Sequence, residues 1–190
     1  MTSTTSTAIH TTPSSWLQTL YFTRAAFSLI WVALAFTVAQ TSPVIASVLL
    51  VLYPAWDALA NALDAKKSGG LSANPLQTIN TVISAITTAA MAVAVARGMS
   101  AVFVVFGAWA VLSGLLQLGT ALKRWKTSGA QWAMALSGAQ SALAGVLFVT
   151  QASGPDPMLQ RLAGYAAVGA LYFLISASVL LYRESRKQRL

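Results

Sequence analysis

The sequence predicts an all-α, polytopic membrane protein: six transmembrane helices laid down as three tandem, like-oriented helical hairpins. Three observations predict it. Apolar residues make up 56% of the chain and charged residues 8%, against roughly 25% charged in an ordinary soluble domain. The mean hydropathy is +0.66, more apolar surface than one soluble core of this length can hide, although a bilayer can take it. The basic residues gather at alternate connections between the apolar runs. Finally, the chain repeats itself. Residues 106–124 read FGAWAVLSGLLQLGTALKR, with Gly107, Ala110, Gly114 and Ala121 on one helical face and a basic cluster, Lys123, Arg124 and Lys126, at the end. A related stretch, YPAWDALANALDAKK, occupies residues 53–67.

Residues 1–15, MTSTTSTAIHTTPSS, are a low-complexity Ser/Thr segment and read as a disordered cytoplasmic tail. Arg24 followed by residues 25–39 also has the outline of a signal peptide. Cleavage there would delete half of the first hairpin, so the segment is read as a span.

Six apolar segments follow, at about 18–40, 44–63, 76–96, 99–122, 130–151 and 159–182. Each is long enough to cross a hydrocarbon core of roughly 30 Å at about 1.5 Å per residue. Segments one and two meet at Thr41-Ser42-Pro43, three and four at Arg97-Gly98, and five and six at Ser153-Gly154-Pro155-Asp156-Pro157. The expected hairpins are 16–63, 76–122 and 130–182, within a transmembrane domain of 16–182. Residues 183–190 form a basic cytoplasmic tail.

Lys66, Lys67, Lys123, Arg124, Lys126, Arg183, Arg186, Lys187 and Arg189 fall on the side of both termini, whereas Arg97 and Arg161 fall opposite. The positive-inside rule makes the basic side cytoplasmic. Trp16, Trp125, Trp132 and Tyr182 lie at the same interface, where amphipathic rings prefer to sit. The net charge of +8 is therefore a topology signal and gives no reason to expect a nucleic-acid partner. The expected partner is the lipid bilayer.

A shift of 53 residues brings Trp56 onto Trp109, Leu59 onto Leu112, Leu63 onto Leu116 and Ser84 onto Ser137. The third hairpin fits a longer shift, because its outer connection is longer. Copies with two spans each keep one orientation, related by an axis along the membrane normal, so an inverted-repeat transporter is a poor analogy. Stripes of small residues run along span two (Ala55, Ala58, Ala62, Ala65), span three (Ala85, Ala89, Ala92, Ala96) and span five (Ala135, Gly138, Ala142, Gly145). In lipid, close backbone approach takes the place of the hydrophobic drive between helices. The stripes are read as packing within one molecule. A homo-oligomer seam through one of them is the sharper alternative.

The candidate site is an intramembrane polar cluster of Arg24, Asp57, Asn61 and Asn80. Asp57 lies ~13 Å inside the basic end of span two, and Arg24 ~12 Å inside the start of span one. A lone charge at that depth is costly and is usually paired, which predicts an Arg24–Asp57 ion pair. Tyr53, Asn61 and Asp64 share the stripe of Asp57, with Asp64 at the interface, and span three offers Asn80, Ser84 and Thr87 at comparable depth. Pro54 leaves the Leu50 carbonyl without its donor and is expected to kink span two. The first reading of the cluster is a staple that fixes helix rotation. A ligand or proton site facing the cytoplasm, and an Arg24 that snorkels unpaired, are the alternatives. Gln117 and Gln140 are expected to hydrogen-bond between helices.

Little else in the chain carries chemistry. There are no cysteines, and His10, in the polar tail, is the one histidine. Thiolate and histidine sites are excluded or remote. Ser and Thr lack a base, and Gly69-Gly70 reads as linker. The expectation is a protein that is not an enzyme and carries no metal or cofactor.

The stretch Phe106-Gly107-Ala108-Trp109-Ala110-Val111-Leu112-Ser113-Gly114 resembles the repeated element of HdeD-like acid-resistance membrane proteins. Trp132, Gly138 and Gly145 resemble a helix of the same family. The resemblance covers roughly residues 20–185. It implies a six-span bacterial inner-membrane protein associated with acid stress, and carries over no catalytic residue. The first hairpin departs most, with Pro54 where Gly107 stands and Asp57 where Ala110 does. Two function classes follow: a non-enzymatic stress-response membrane protein, or a small transporter or channel using Arg24 and Asp57. Polar residues crowd the basic half of the spans, which favours the first. Groups that titrate in acid are carboxylates, and the outer connections hold one, Asp156. An external proton sensor is therefore not expected.

Overall fold

The structure is a computed structural model that describes residues 14–154 and 158–187. Most of the expected N-terminal tail, with His10, lies outside these residues, as do Asp156 and the last three residues of the basic tail. The described chain is all helical: α1 (Ser14–Phe36), a 3-10 turn (Val38–Gln40), α2 (Pro43–Lys67), α3 (Pro75–Arg97), α4 (Met99–Lys123), α5 (Gln131–Gln151) and α6 (Leu159–Lys187). All six helices are long and apolar enough to cross a membrane. By length and composition these helices mark a multi-pass membrane protein.

The ends of the helices follow local chemistry. Pro43 opens α2, and the Ser42 hydroxyl accepts from the Ile45 N–H at 3.4 Å. At the other end of α2, Asn74 donates to the carbonyls of Ser68 (2.9 Å) and Gly70 (2.8 Å), tying down a turn that helix geometry leaves short of donors. Gly70 and Gly98 sit at φ 99° and 100°, a region open to glycine and costly for other residues. Gly98 alone separates α3 from α4. Through buried Pro54, α2 runs on as a single helix.

Each helix packs on its chain neighbours, and α6 returns to α1, so the six close into a ring. Contact is broadest between α4 and α5, then between α1 and α6, α2 and α3, and α3 and α4. The α5–α6 and α1–α2 seams are thin. Two of the three broadest seams, α4–α5 and α2–α3, thus join helices across the basic connections, whereas the expected hairpins 16–63 and 130–182 contain the two thin seams. Small residues explain the α4–α5 contact. A Cβ on Gly107 would lie 2.7 Å from the Gly145 carbonyl oxygen, and one on Gly114 2.7 Å from that of Gly138. The Ser141 hydroxyl donates to the Ala110 carbonyl across the same seam at 3.0 Å. The stripes on α4 and α5 are thus consumed inside the molecule. The stripe of α3 is not: Ala85, Ala89, Ala92 and Ala96 all face outward.

The ring interior has two halves. Toward the connections opposite the basic end it is aromatic. Phe106, fully buried, has the rings of Trp109, Tyr165, Phe148 and Tyr53 around it at 5.1, 5.5, 5.8 and 6.0 Å. Toward the basic end the interior is polar, and the candidate site lies there.

Candidate functional site

The site begins with α2. Asp57 and Asp64 are seven residues apart, two turns of one face, about 10.5 Å along the axis. Both point into the ring and both are buried. Each meets an arginine from another helix or its end, which gives two ionic levels.

At the inner level Arg24 of α1 pairs with Asp57 through Nη2 and Oδ1. The other carboxylate oxygen accepts from Ser84 Oγ at 2.8 Å, Asn61 Nδ2 at 3.1 Å and Asn80 Nδ2 at 3.3 Å. The four residues Arg24, Asp57, Asn61 and Asn80 are thus in one cluster. Ser84 in turn accepts from the Trp109 indole at 2.9 Å, which links the cluster to α4. The guanidinium of Arg24 lies 4.5 Å over the ring of Phe173 on α6, a cation–π contact that helps hold a buried charge. Four donors from α1, α2 and α3 therefore converge on one carboxylate, and α4 joins them through Ser84.

The outer level is an ion pair between Asp64 Oδ2 and Arg124 Nη1 at 2.8 Å. Asp64 also accepts from Ser68 (3.3 Å), Gln77 (3.4 Å) and Trp16 (3.4 Å), and Arg124 donates to Ser68 at 3.0 Å. Reading the sequence left Asp64 and Arg124 as interfacial charges. The signal that would have found them is the seven-residue spacing, because a helix that turns Asp57 inward turns Asp64 inward too.

Two small chambers lie between these levels and the neighbouring helices. The upper one is walled by Trp56, Ser113, Ser137, Gln140 and Tyr165, among others, and the lower by Asn61, Asn80, Thr120 and Gln131, among others. They share Arg24, Gln117 and Phe173. Each has room for roughly three to four waters at the ~10–15 Å³ that one water centre needs. Gln117 donates across the α4–α5 seam to the Met134 carbonyl at 3.3 Å, while Gln140 faces the upper chamber. Tyr165 and Ser141 share a hydrogen bond at 2.6 Å, which closes the chamber against the aromatic half. Among the described residues no three His, Asp or Glu side chains come together as a metal site. What the arrangement offers is hydrogen bonding and buried charge.

Residues 79–150, spanning most of α3, α4 and α5, match the family model of a short repeat of unknown function (DUF308). That stretch contains the motif at residues 106–114 and the glycines of α5. No curated protein and no solved structure matches the chain.

Proposed function

We propose that this chain is a multi-pass inner-membrane protein of the HdeD-like type, non-enzymatic and associated with stress or acid resistance. The repeat match at residues 79–150 and the motif resemblance support the family reading. The observation that favours this reading over transport is the aromatic packing around Phe106. It closes the polar interior at mid-depth, so that the polar groups form a blind, one-sided recess. The buried ion pairs then act as staples that fix the rotation of α2 against α1 and α4. The basic end is cytoplasmic by the positive-inside rule. The outward alanine face of α3 is the surface through which a homo-oligomer would form.

A small transporter built on Arg24 and Asp57 is the second reading, favoured by the two chambers and opposed by the aromatic closure. Proteoliposome uptake of ions and small acids by wild type and Asp57→Asn separates the two. The staple reading expects no solute-dependent flux in either protein and loss of acid survival when the gene is deleted. Flux present in wild type and absent in the variant would move the assignment to transport. Orientation has its own check: single cysteines at Ser42 and Ser128, in a chain with no native cysteine, should react from the outside and the cytoplasm respectively.

A further inference from the structure

The upper chamber carries polar groups that no other side chain or backbone group engages. Among the described residues no hydrogen bond reaches the side chains of Ser113, Ser137 or Gln140, all of which line it. None of their polar atoms is sealed inside protein either. Ser113 and Ser137 are each 7% exposed, so the surface that their hydroxyls keep opens on the chamber. Polar groups held in this way call for a water or a ligand. The two charges at the chamber, Arg24 and Asp57, are paired with each other. A charged guest would lose its hydration with no opposite charge left to replace it.

Two sides of the chamber are shut. Toward the aromatic half, Tyr165 and Ser141 close on each other at 2.6 Å. Toward the basic end stand Arg24, Gln117 and Phe173, which border the lower chamber as well. Arg24 is held by Asp57 over the Phe173 ring, and Gln117 by the Met134 carbonyl. The side between α5 and α6 is different, because that seam is thin. It is pinned at one end by Tyr165 against Ser141 and Phe148, and at the other by Ser176, which donates to the Ala130 carbonyl at 3.5 Å. Tyr165 and Ser176 are eleven residues apart on α6, about 16 Å of helix. Gly169 lies between them. It lines the chamber, is partly exposed, and a Cβ added there would meet nothing within 4 Å. The same addition at Gly107 or Gly145, on the α4–α5 seam, strikes backbone at 2.7 or 2.5 Å. The outward residues beside the gap are apolar: Leu136 and Leu143 on α5, Val168 and Leu171 on α6.

We propose that the upper chamber opens sideways into the bilayer at Gly169, between α5 and α6, and takes from it the head of an uncharged amphiphile: a hydrocarbon chain ending in a hydroxyl or a carboxamide. The head hydrogen-bonds to Ser113, Ser137 and Gln140. Room for three to four waters suits a head of a few heavy atoms. The chain leaves past Gly169 and lies among the outward leucines. Ser137 is six residues inside the start of α5, about 9 Å below the basic end, so these bonds replace hydration that the head gives up on leaving the interface. The proposal rests on the chain crossing a bilayer and not on the stress reading.

The test uses Ser137→Cys as a single thiol on the chamber wall, in the full chain in phosphatidylcholine nanodiscs. A bilayer-dissolved N-alkyl maleimide should modify it faster than a water-soluble sulfonated maleimide. Gly169→Leu, which fills the gap, should slow the bilayer-borne reagent severalfold, while Gly169→Ala should not. Ser128→Cys at the basic end, carrying the same Gly169→Leu change, reports whether the fold is kept. Dodecanol and dodecanamide should protect the thiol at Ser137→Cys, about threefold at twice their half-saturating fraction in the bilayer. Dodecanesulfonate and dodecyltrimethylammonium should leave the rate unchanged. If Gly169→Leu disturbs the basic-end control, Ser113→Ala decides: the gap stays open, the unprotected rate holds, and protection by dodecanol weakens. Faster reaction from water with no effect of Gly169→Leu would place the entrance at the basic end and overturn the proposal. No protection by either neutral amphiphile would mean a chamber for water only. Equal protection by the charged amphiphiles would mean that the chain alone plugs the gap, and either result also overturns it.

Discussion

Trp109 donates its indole N–H to Ser84 at 2.9 Å, and Ser84 donates onward to Asp57 at 2.8 Å. One hydroxyl therefore satisfies a buried donor on α4 and a buried acceptor on α2. Ser84→Ala removes both partners at once. Leaving a buried group unsatisfied costs about 1–3 kcal/mol, and polar partners found in the unfolded, membrane-bound state reduce this. The expected result is a loss of about 1–2 kcal/mol in detergent-unfolding titrations. Trp109→Phe should lose less, because Ser84 keeps its bond to Asp57. Equal losses would mean that the serine does not couple the two helices.

The Arg24–Asp57 pair predicts a sign reversal between single and double variants. Asp57→Ala leaves a guanidinium buried with no counter-charge, at a cost of about 3–5 kcal/mol. Replacing both residues with apolar side chains of similar size removes the charge altogether and is often neutral or better. Arg24→Met with Asp57→Leu should therefore be more stable than either single variant. Unfolding midpoints in one micelle composition check this. A silent Asp57→Ala would show that the pair contributes nothing to holding α1 against α2.

Much of this was legible before the structure, for physical reasons. A charge inside an apolar run must find a partner, so Arg24, Asp57, Asn61 and Asn80 could be read together from depth alone. Asp64 and Arg124 could not, because a charge near the end of a span is equally at home in the interface. Span ends came within a few residues because Pro43, Pro75 and Gly98 punctuate them. The phase of the repeat was harder. A shift of 53 residues places α2 on α4 and α3 on α5, which is equally compatible with units that turn at the neutral or at the basic connections. Which pairs pack most closely depends on the glycine faces of α4 and α5. The long return of α6 to α1 leaves no periodic signal at all.

The outer ionic level can be told from an ordinary surface pair by its response to salt. Exposed pairs couple by about 0–1 kcal/mol and weaken as salt rises. Asp64 and Arg124 are almost fully enclosed by protein, so a cycle of Asp64→Asn and Arg124→Gln should give a coupling above about 1 kcal/mol that changes little with added salt. A coupling that vanishes in high salt would return the pair to the interface and reduce the site to its inner level.

The glycine face between α4 and α5 gives the clearest contrast within one protein. A Cβ on Gly145 would stand 2.5 Å from the Gly107 carbonyl oxygen and 2.6 Å from the Val111 nitrogen, both backbone atoms that cannot rotate aside. Gly145→Ala must therefore push the two helices apart, along the broadest seam of the ring, at the ~1–3 kcal/mol typical of overpacking. A Cβ at Gly164, on α6, would meet nothing within 4 Å. There the substitution should be neutral or stabilising by up to about 1 kcal/mol, since alanine is the better helix former. Thermal aggregation midpoints of the two variants should move in opposite directions, or Gly164→Ala should not move at all. If Gly145→Ala is tolerated as well as Gly164→Ala, the α4–α5 seam is not set by backbone contact, and the small residues there need another explanation.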